Sequence, residues 1–197
     1  MERYYDKDID VDLVRGHALE DASDFINEAV EVKSTVHSNC VRFSRNGWIN
    51  WQRAHLCKTI VFNENGFDVE YRIRNKGIAG MEFWFGPEFN FSVNGGEWEK
   101  RYYAAPGVLK GKTLEYVSDT DEVDRLIVRN DDEGYEIIIT SAQPVRVMTY
   151  PHIIPVLSQE GIENIFQNIV LNYFWKISIQ PRETRKIGLS VKINVCK

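Results

Sequence analysis

Carboxylates, histidines, cysteines and exposed aromatic rings are the side chains of this 197-residue chain that could carry chemistry. A paired acid and base would make a glycoside-cleaving site. Glu82 and Glu88 share parity on one apparent strand, but six residues at about 3.3 Å each place them near 20 Å apart, far beyond the roughly 5–9.5 Å such a pair needs. No catalytic pair is therefore assigned. The acidic residues Asp119, Asp121, Glu122 and Asp124, with Asp131, Asp132 and Glu133 across a hairpin, offer oxygen ligands for Ca²⁺. They lack the Gly at the sharp turn and the closing Glu of a helix–loop–helix calcium site, so a solvated turn is the expectation. His37 with Cys40 and His55 with Cys57 are four nitrogen and sulfur ligands in one neighbourhood, without the spacing of a zinc finger or ribbon. His17 and His152 stand alone. No metal or cofactor is expected, since Gly-x-Ser-x-Gly, a phosphate-binding Gly loop and a dinucleotide fingerprint are all missing.

Aromatic residues are the remaining lead: Trp48, Trp51, Trp84, Trp98, Tyr102, Tyr103, Tyr173 and Trp175. A pyranose presents an apolar C–H face that stacks on an electron-rich ring. Trp48 and Trp51, among Asn46, Asn50, Gln52 and Arg53, are expected to be an exposed pair, and exposed apolar clusters mark binding surfaces or interfaces. Trp84, Glu88 and Asn90 share the polar face of a second strand and complete the candidate sugar-binding set, Trp48, Trp51, Trp84, Glu88 and Asn90.

These side chains must be positioned by β-structure. Residues 81–93 organise the chain: Phe83, Phe85, Phe89, Phe91 and Val93 alternate with Glu82, Trp84, Glu88, Asn90 and Ser92, one face buried and one polar. Gly86-Pro87 reads as a kink between two short strands, because Pro lacks the ladder N–H. Residues 56–62 and 67–73 form a hairpin around Asn63-Glu64-Asn65-Gly66, and residues 126–128 and 135–140 form another around 130–134. The last strand alternates Ile187, Leu189, Val191, Ile193 and Val195 with polar residues. Asn46-Gly47 reads as a turn, Pro151 as the end of a strand, and 153–165 as irregular. Leu19, Ala22, Phe25, Ile26, Ala29 and Val30 recur at helical spacing, which predicts a short amphipathic helix. The whole is expected to be one all-β domain over residues 1–197, an antiparallel β-sandwich with a less regular segment at 1–30.

Composition excludes several classes. The net charge of −5 and the lack of a Lys/Arg stripe argue against nucleic acid. No run approaches the roughly 18 apolar residues of a membrane span, and the first residues lack the apolar core of a secretory signal. Three cysteines, Cys40, Cys57 and Cys196, suit a reducing compartment, so a cytoplasmic location is expected. The sequon Asn90-Phe91-Ser92 falls inside an expected strand.

Gly86-Pro87-Glu88-Phe89-Asn90-Phe91-Ser92 resembles a Gly-x-Glu-Phe-Asn-Leu type motif of the C-terminal β-sandwich domain in family-57 α-amylases and 4-α-glucanotransferases. Leu56-Cys57-Lys58-Thr59-Ile60 with Gly66-Phe67-Asp68-Val69-Glu70-Tyr71 is similar to the preceding strand pair of that family. Ser158-Gln159-Glu160-Gly161, then Phe166-Gln167 and Val170-Leu171, are similar to a later segment, and Asp24-Phe25 through Glu31-Val32 also fits. The resemblance covers most of the chain in the family's order. It implies a supersandwich of the galactose-mutarotase-like kind, attached in that family to a catalytic barrel bearing a nucleophilic Glu and an acid/base Asp. No segment of this sequence corresponds to that barrel, so no catalytic residue carries over. The implied function is a non-catalytic accessory domain that packs on a catalytic barrel domain or subunit and contacts α-glucan. A free-standing carbohydrate-binding module is the second reading. A sugar-epimerising enzyme, with His37, His55 or His152 converging on Glu88, is the third.

Overall fold

The computed structural model describes residues 1–26, 28–34, 38–93, 97–104, 107–158 and 161–196. Among the described residues eleven strands and one short α-helix follow in order, with 3-10 turns at Trp98–Lys100 and Gly107–Leu109: β1 (Glu2–Tyr5), α1 (Val11–Arg15), β2 (Glu31–Ser34), β3 (Cys40–Ile49), β4 (Gln52–Asn63), β5 (Gly66–Asn75), β6 (Met81–Phe91), β7 (Arg101–Tyr103), β8 (Ser118–Asn130), β9 (Tyr135–Ser158), β10 (Gly161–Ile179) and β11 (Thr184–Val195). All pairings are antiparallel, in the order β1-β6-β10-β9-β11-β5-β4-β3-β2, with β8 on β9 and β7 on β8. The sheet doubles over along β9. Its residues 135–141 pair with β11, whereas residues 146–158 pair with β10. Tyr71 of β5 and Phe85 of β6 are far apart in strand order, yet their rings meet at 5.1 Å across the interior. That contact makes the sheet a sandwich.

The expected buried face of β6 is observed, with Phe83 and Phe85 inside and Phe89 and Phe91 half-buried at its end. A second cluster lies outside the sheet, where Tyr5, Ile9 and Val14 of the N-terminal segment cover Met148, Tyr150, Val170 and Phe174. Asp10 caps α1 by accepting the N–H groups of Asp12 and Leu13 at 2.9 Å. The two expected hairpins around 63–66 and 130–134 form with the pairing their alternation requires.

Four local expectations are corrected. The helix lies at 11–15 and not among residues 19–30: Ala22 N donates to Tyr4 O, Asn50 N donates to Ala22 O, and Ser23 bridges Ile49, so strand edges claim that backbone. Asn46-Gly47 is inside β3, where a Cβ at residue 47 would run into Asp24 and Phe25; the Gly serves close approach, not turning. Gly86-Pro87 leaves β6 a single strand, although the β6–β10 pairing skips these two residues, and the Phe174 ring occupies the space a Cβ at residue 86 would need. Finally, Pro151 does not stop β9. The residues expected to be irregular form a β9–β10 ribbon with Ile154 opposite Ile165 and Leu157 opposite Ile162. Pro151 and Pro155 fit because the outer edge of β9 has no strand partner there among the described residues.

The Asn94-Gly95-Gly96 turn lies outside the described residues, as do Gln159 and Glu160 of the Ser158–Gly161 motif. No described helix is long and apolar enough to cross a membrane.

Candidate functional site

A two-residue turn, Asn50-Trp51, closes the β3–β4 hairpin between the paired Ile49 and Gln52. Both turn residues have positive φ, 48° and 61°, the type I′ geometry that matches strand twist and normally takes Asn-Gly or Asp-Gly. Here the second position holds Trp, whose ring is 92% exposed. Ile49 anchors the hairpin in the core, and Asn50 ties the turn to β6 through Nδ2 donating to Glu82 O at 3.2 Å.

Beside the turn, the irregular strap at 20–24 is fixed by its carboxylates. Asp21 accepts the N–H of Tyr4 at 3.0 Å and both the N–H and hydroxyl of Ser23, at 2.9 and 2.7 Å. Burial raises its pKa above the ordinary carboxylate value, with the Ser23 and Tyr4 bonds opposing. Asp24 accepts the backbone N–H of Trp48 at 2.8 Å and the Arg45 guanidinium at 3.2 Å. Trp48, 45% exposed, has one ring face engaged by the Arg53 guanidinium at 5.4 Å. Together these elements line an open cavity of about 610 Å³, with both indoles on its wall and the exposed Asp6 and Glu20, with Asn50, among its polar groups. The volume falls within the range of small-molecule sites. Asp6 and Glu20 have no hydrogen-bond partner among the described residues, leaving acceptors for a ligand's hydroxyls.

A larger concavity of about 720 Å³ lies on the strand face around Gly188, Ser190 and Thr140. It is more open and has no aromatic wall. A smaller one of about 260 Å³ lies by Phe43 and Lys58, where Lys58 Nζ pairs with Glu2 at 2.6 Å.

The five residues expected to bind sugar fall into two groups. Trp48 and Trp51 share the cavity. Trp84 packs against the outer apolar cluster, with Arg146 at 5.7 Å and Lys176 at 6.0 Å from its ring. Glu88 and Asn90 bond each other at 3.0 Å, and Glu88 N donates to Met1 O. Asp6, Glu20, Asp21 and Asp24 were not singled out from sequence, since nothing local brings residues 6–24 to a hairpin tip near residue 50.

Among the described residues no histidine hydrogen-bonds a carboxylate. His152 Nδ1 lies 3.4 Å from Asn168 Nδ2, and His37 is outside the described residues. Burial, then Lys76 and Arg74, lowers the pKa of His55. No three His, Cys, Asp or Glu side chains converge as a metal site among the described residues. The acids considered for Ca²⁺ bond separately, Asp119 to Arg146 at 2.7 Å, Asp131 to the Tyr102 hydroxyl and Asp132 to Lys100. Residues 118–124 belong to β8 and are not a turn.

The second exposed feature is the β9–β10 ribbon. Paired residues share a face, so Ile153 with Phe166 and Leu157 with Ile162 lie on one side, and Ile154 with Ile165 on the other. Its root is anchored where Phe166 meets Trp98 edge to face at 4.9 Å. Toward the tip Leu157 is 83% exposed and Ile162 76%.

A family model described as α-amylase/4-α-glucanotransferase, C-terminal, matches residues 1–189. A search of curated proteins returns no match. Among solved structures, the chain is similar to a 4-α-glucanotransferase from Thermococcus litoralis, with a TM-score of 0.77 at 17% identity, over 97% of this chain and 26% of that one. It is also similar to a galactose mutarotase related enzyme from Lactobacillus acidophilus (TM-score 0.60, 13% identity, 87% of this chain and 73% of that one). A galactose mutarotase-like protein from Clostridium acetobutylicum gives TM-score 0.57 at 7% identity, covering 85% and 66%. At these identities the likeness is one of fold. The chain spans about a quarter of the glucanotransferase it matches.

Proposed function

The chain belongs to the α-amylase/4-α-glucanotransferase C-terminal family, and from that premise we propose that it is a cytoplasmic, non-catalytic accessory domain that docks on the catalytic barrel, as domain or subunit, of an α-glucan-processing enzyme. The observation that carries this reading is the β9–β10 ribbon, apolar on both faces and bare toward its tip. Two unsupported strands are marginally stable in water, and exposed aliphatic surface of this kind marks an interface. Inter-domain contacts of about 600–1,500 Å² are the usual scale for such docking.

Affinity purification of the tagged chain from its source cells tests the reading. The expected result is recovery of a polypeptide that carries α-glucan-cleaving or -transferring activity, identified by mass spectrometry, and its loss with Leu157→Asp/Ile162→Asp. Release of reducing sugar by the purified chain alone would overturn the non-catalytic assignment. Recovery of the same polypeptide by the double variant would overturn the ribbon as the docking surface.

A further inference from the structure

We propose that the cavity beside the β3–β4 turn is a binding site for a neutral oligosaccharide of gluco-configured pyranose units, with Trp51 as its stacking platform. The assignment extends the accessory-domain reading and rests on it only for the choice of an α-linked chain.

Trp51 carries the inference. Packing does not explain the ring, which is almost wholly exposed, and local backbone preference does not explain the residue, since a left-handed position in a I′ turn favours Gly. A bulky L-residue there is disfavoured, so what the indole offers is a rigid apolar surface at the rim of a cavity. Trp48 is a second ring on the same wall, partly covered by Arg53. Gluco-configured pyranoses fit this pairing because their ring substituents at C2 to C5 are all equatorial, only the α-glycosidic oxygen being axial, and their faces are C–H. The unpartnered carboxylates of Asp6 and Glu20 and the Asn50 amide then meet hydroxyls at the ring edge, where a charged acceptor makes the stronger hydrogen bond. The cavity wall holds carboxylates at Asp6, Glu20, Asp21 and Asp24 with Lys7, while Arg45 pairs with Asp24 and Arg53 lies over Trp48, so the carboxylates left unpaired there among the described residues are those of Asp6 and Glu20. Uronates and sulfated or phosphorylated sugars are repelled there, which sets the neutral class.

Titration of the full chain with maltoheptaose, followed by calorimetry and tryptophan fluorescence, tests the site. Oligogalacturonate is the anionic control. Saturable maltoheptaose binding is expected, at least tenfold weaker in Trp51→Gly, with the melting temperature of that variant unchanged or raised. Trp51→Phe should retain measurable binding. Absence of maltoheptaose binding at millimolar ligand, binding unaffected by Trp51→Gly, or tighter binding of oligogalacturonate would each overturn the proposal. Leu157→Asp/Ile162→Asp should bind maltoheptaose like the unaltered chain, so failure of the docking reading and failure of this site are read by different variants. If Trp51→Gly instead abolishes capture of the catalytic polypeptide and no sugar binds, Trp51 is a protein contact and the sugar site is refuted.

Discussion

Two hairpins project from this sandwich and end differently. The β3–β4 hairpin closes at once in two residues, over a cavity with polar groups and two indoles. The β9–β10 hairpin runs on as a ribbon with aliphatic side chains on both faces and no strand on either edge among the described residues. A concave polar wall with a flat ring suits a small hydroxylated ligand, whereas a convex apolar ribbon gains only from a surface that covers it. The same architecture thus presents a ligand-sized site and a protein-sized one, and the difference lies in what each hairpin leaves unburied.

The largest effect should come from the ribbon. Leu157→Asp and Ile162→Asp should each weaken docking at least about 30-fold, the scale of an interface hot spot. Thermal stability should change little, because both side chains are already exposed; loss of sugar binding in the same variants would break the separation of the two sites. Next is Trp51→Gly, which relieves a left-handed L-residue and should leave stability unchanged or raise it by about 1 kcal/mol, measured by urea denaturation. A fall in stability would mean the indole has a packing role. Gly47→Ala puts a methyl against Asp24 and Phe25 and should cost about 1–3 kcal/mol, with a lower melting temperature and weaker maltoheptaose binding through displaced Asp24. Unchanged binding with lowered stability would show that Asp24 is framework only.

The smallest effect concerns pH. His55 opposes Asn46 in the β3–β4 pair, and its pKa is lowered by burial and by the Lys76 and Arg74 cations. The folded chain takes up the proton less readily than the unfolded chain. Stability therefore falls as pH drops through about 6.5, the unfolded value, toward the lower folded one. His55→Gln should remove that part of the decline, seen as a smaller difference in melting temperature between pH 7.5 and 5.5. An unchanged difference would place the decline elsewhere.

Alternation sufficed for β5, β6 and the first part of β11, where a period of two reports which side chains face the core; Ile193 and Val195 keep the parity of β11 but lie exposed past the core's edge. It failed where a residue's meaning depended on a distant neighbour. Gly47 reads as a turn until Asp24 and Phe25 are seen against it, and Pro151 reads as a stop until the open edge of β9 shows that its missing N–H goes unused. The apolar residues at 19–30 suggested a helix because Tyr4, Trp48 and Ile49, which bond the backbone of residues 22–24, are remote in sequence. Trp48 and Trp51 were recognisable as an exposed pair from their polar surroundings. The carboxylates facing them were not.

By itself, the amino-acid order determined the all-β class, most strand faces and the family motifs, because these depend on residues two apart along one strand. Tertiary structure alone decided that residues 6, 20 and 51 share a cavity, that Trp84, Glu88 and Asn90 stand apart from it, and that an apparently irregular stretch is a bare apolar ribbon. Each of those outcomes depends on where the doubled sheet brings distant strands together, and pairing of that range leaves no periodic trace in the sequence.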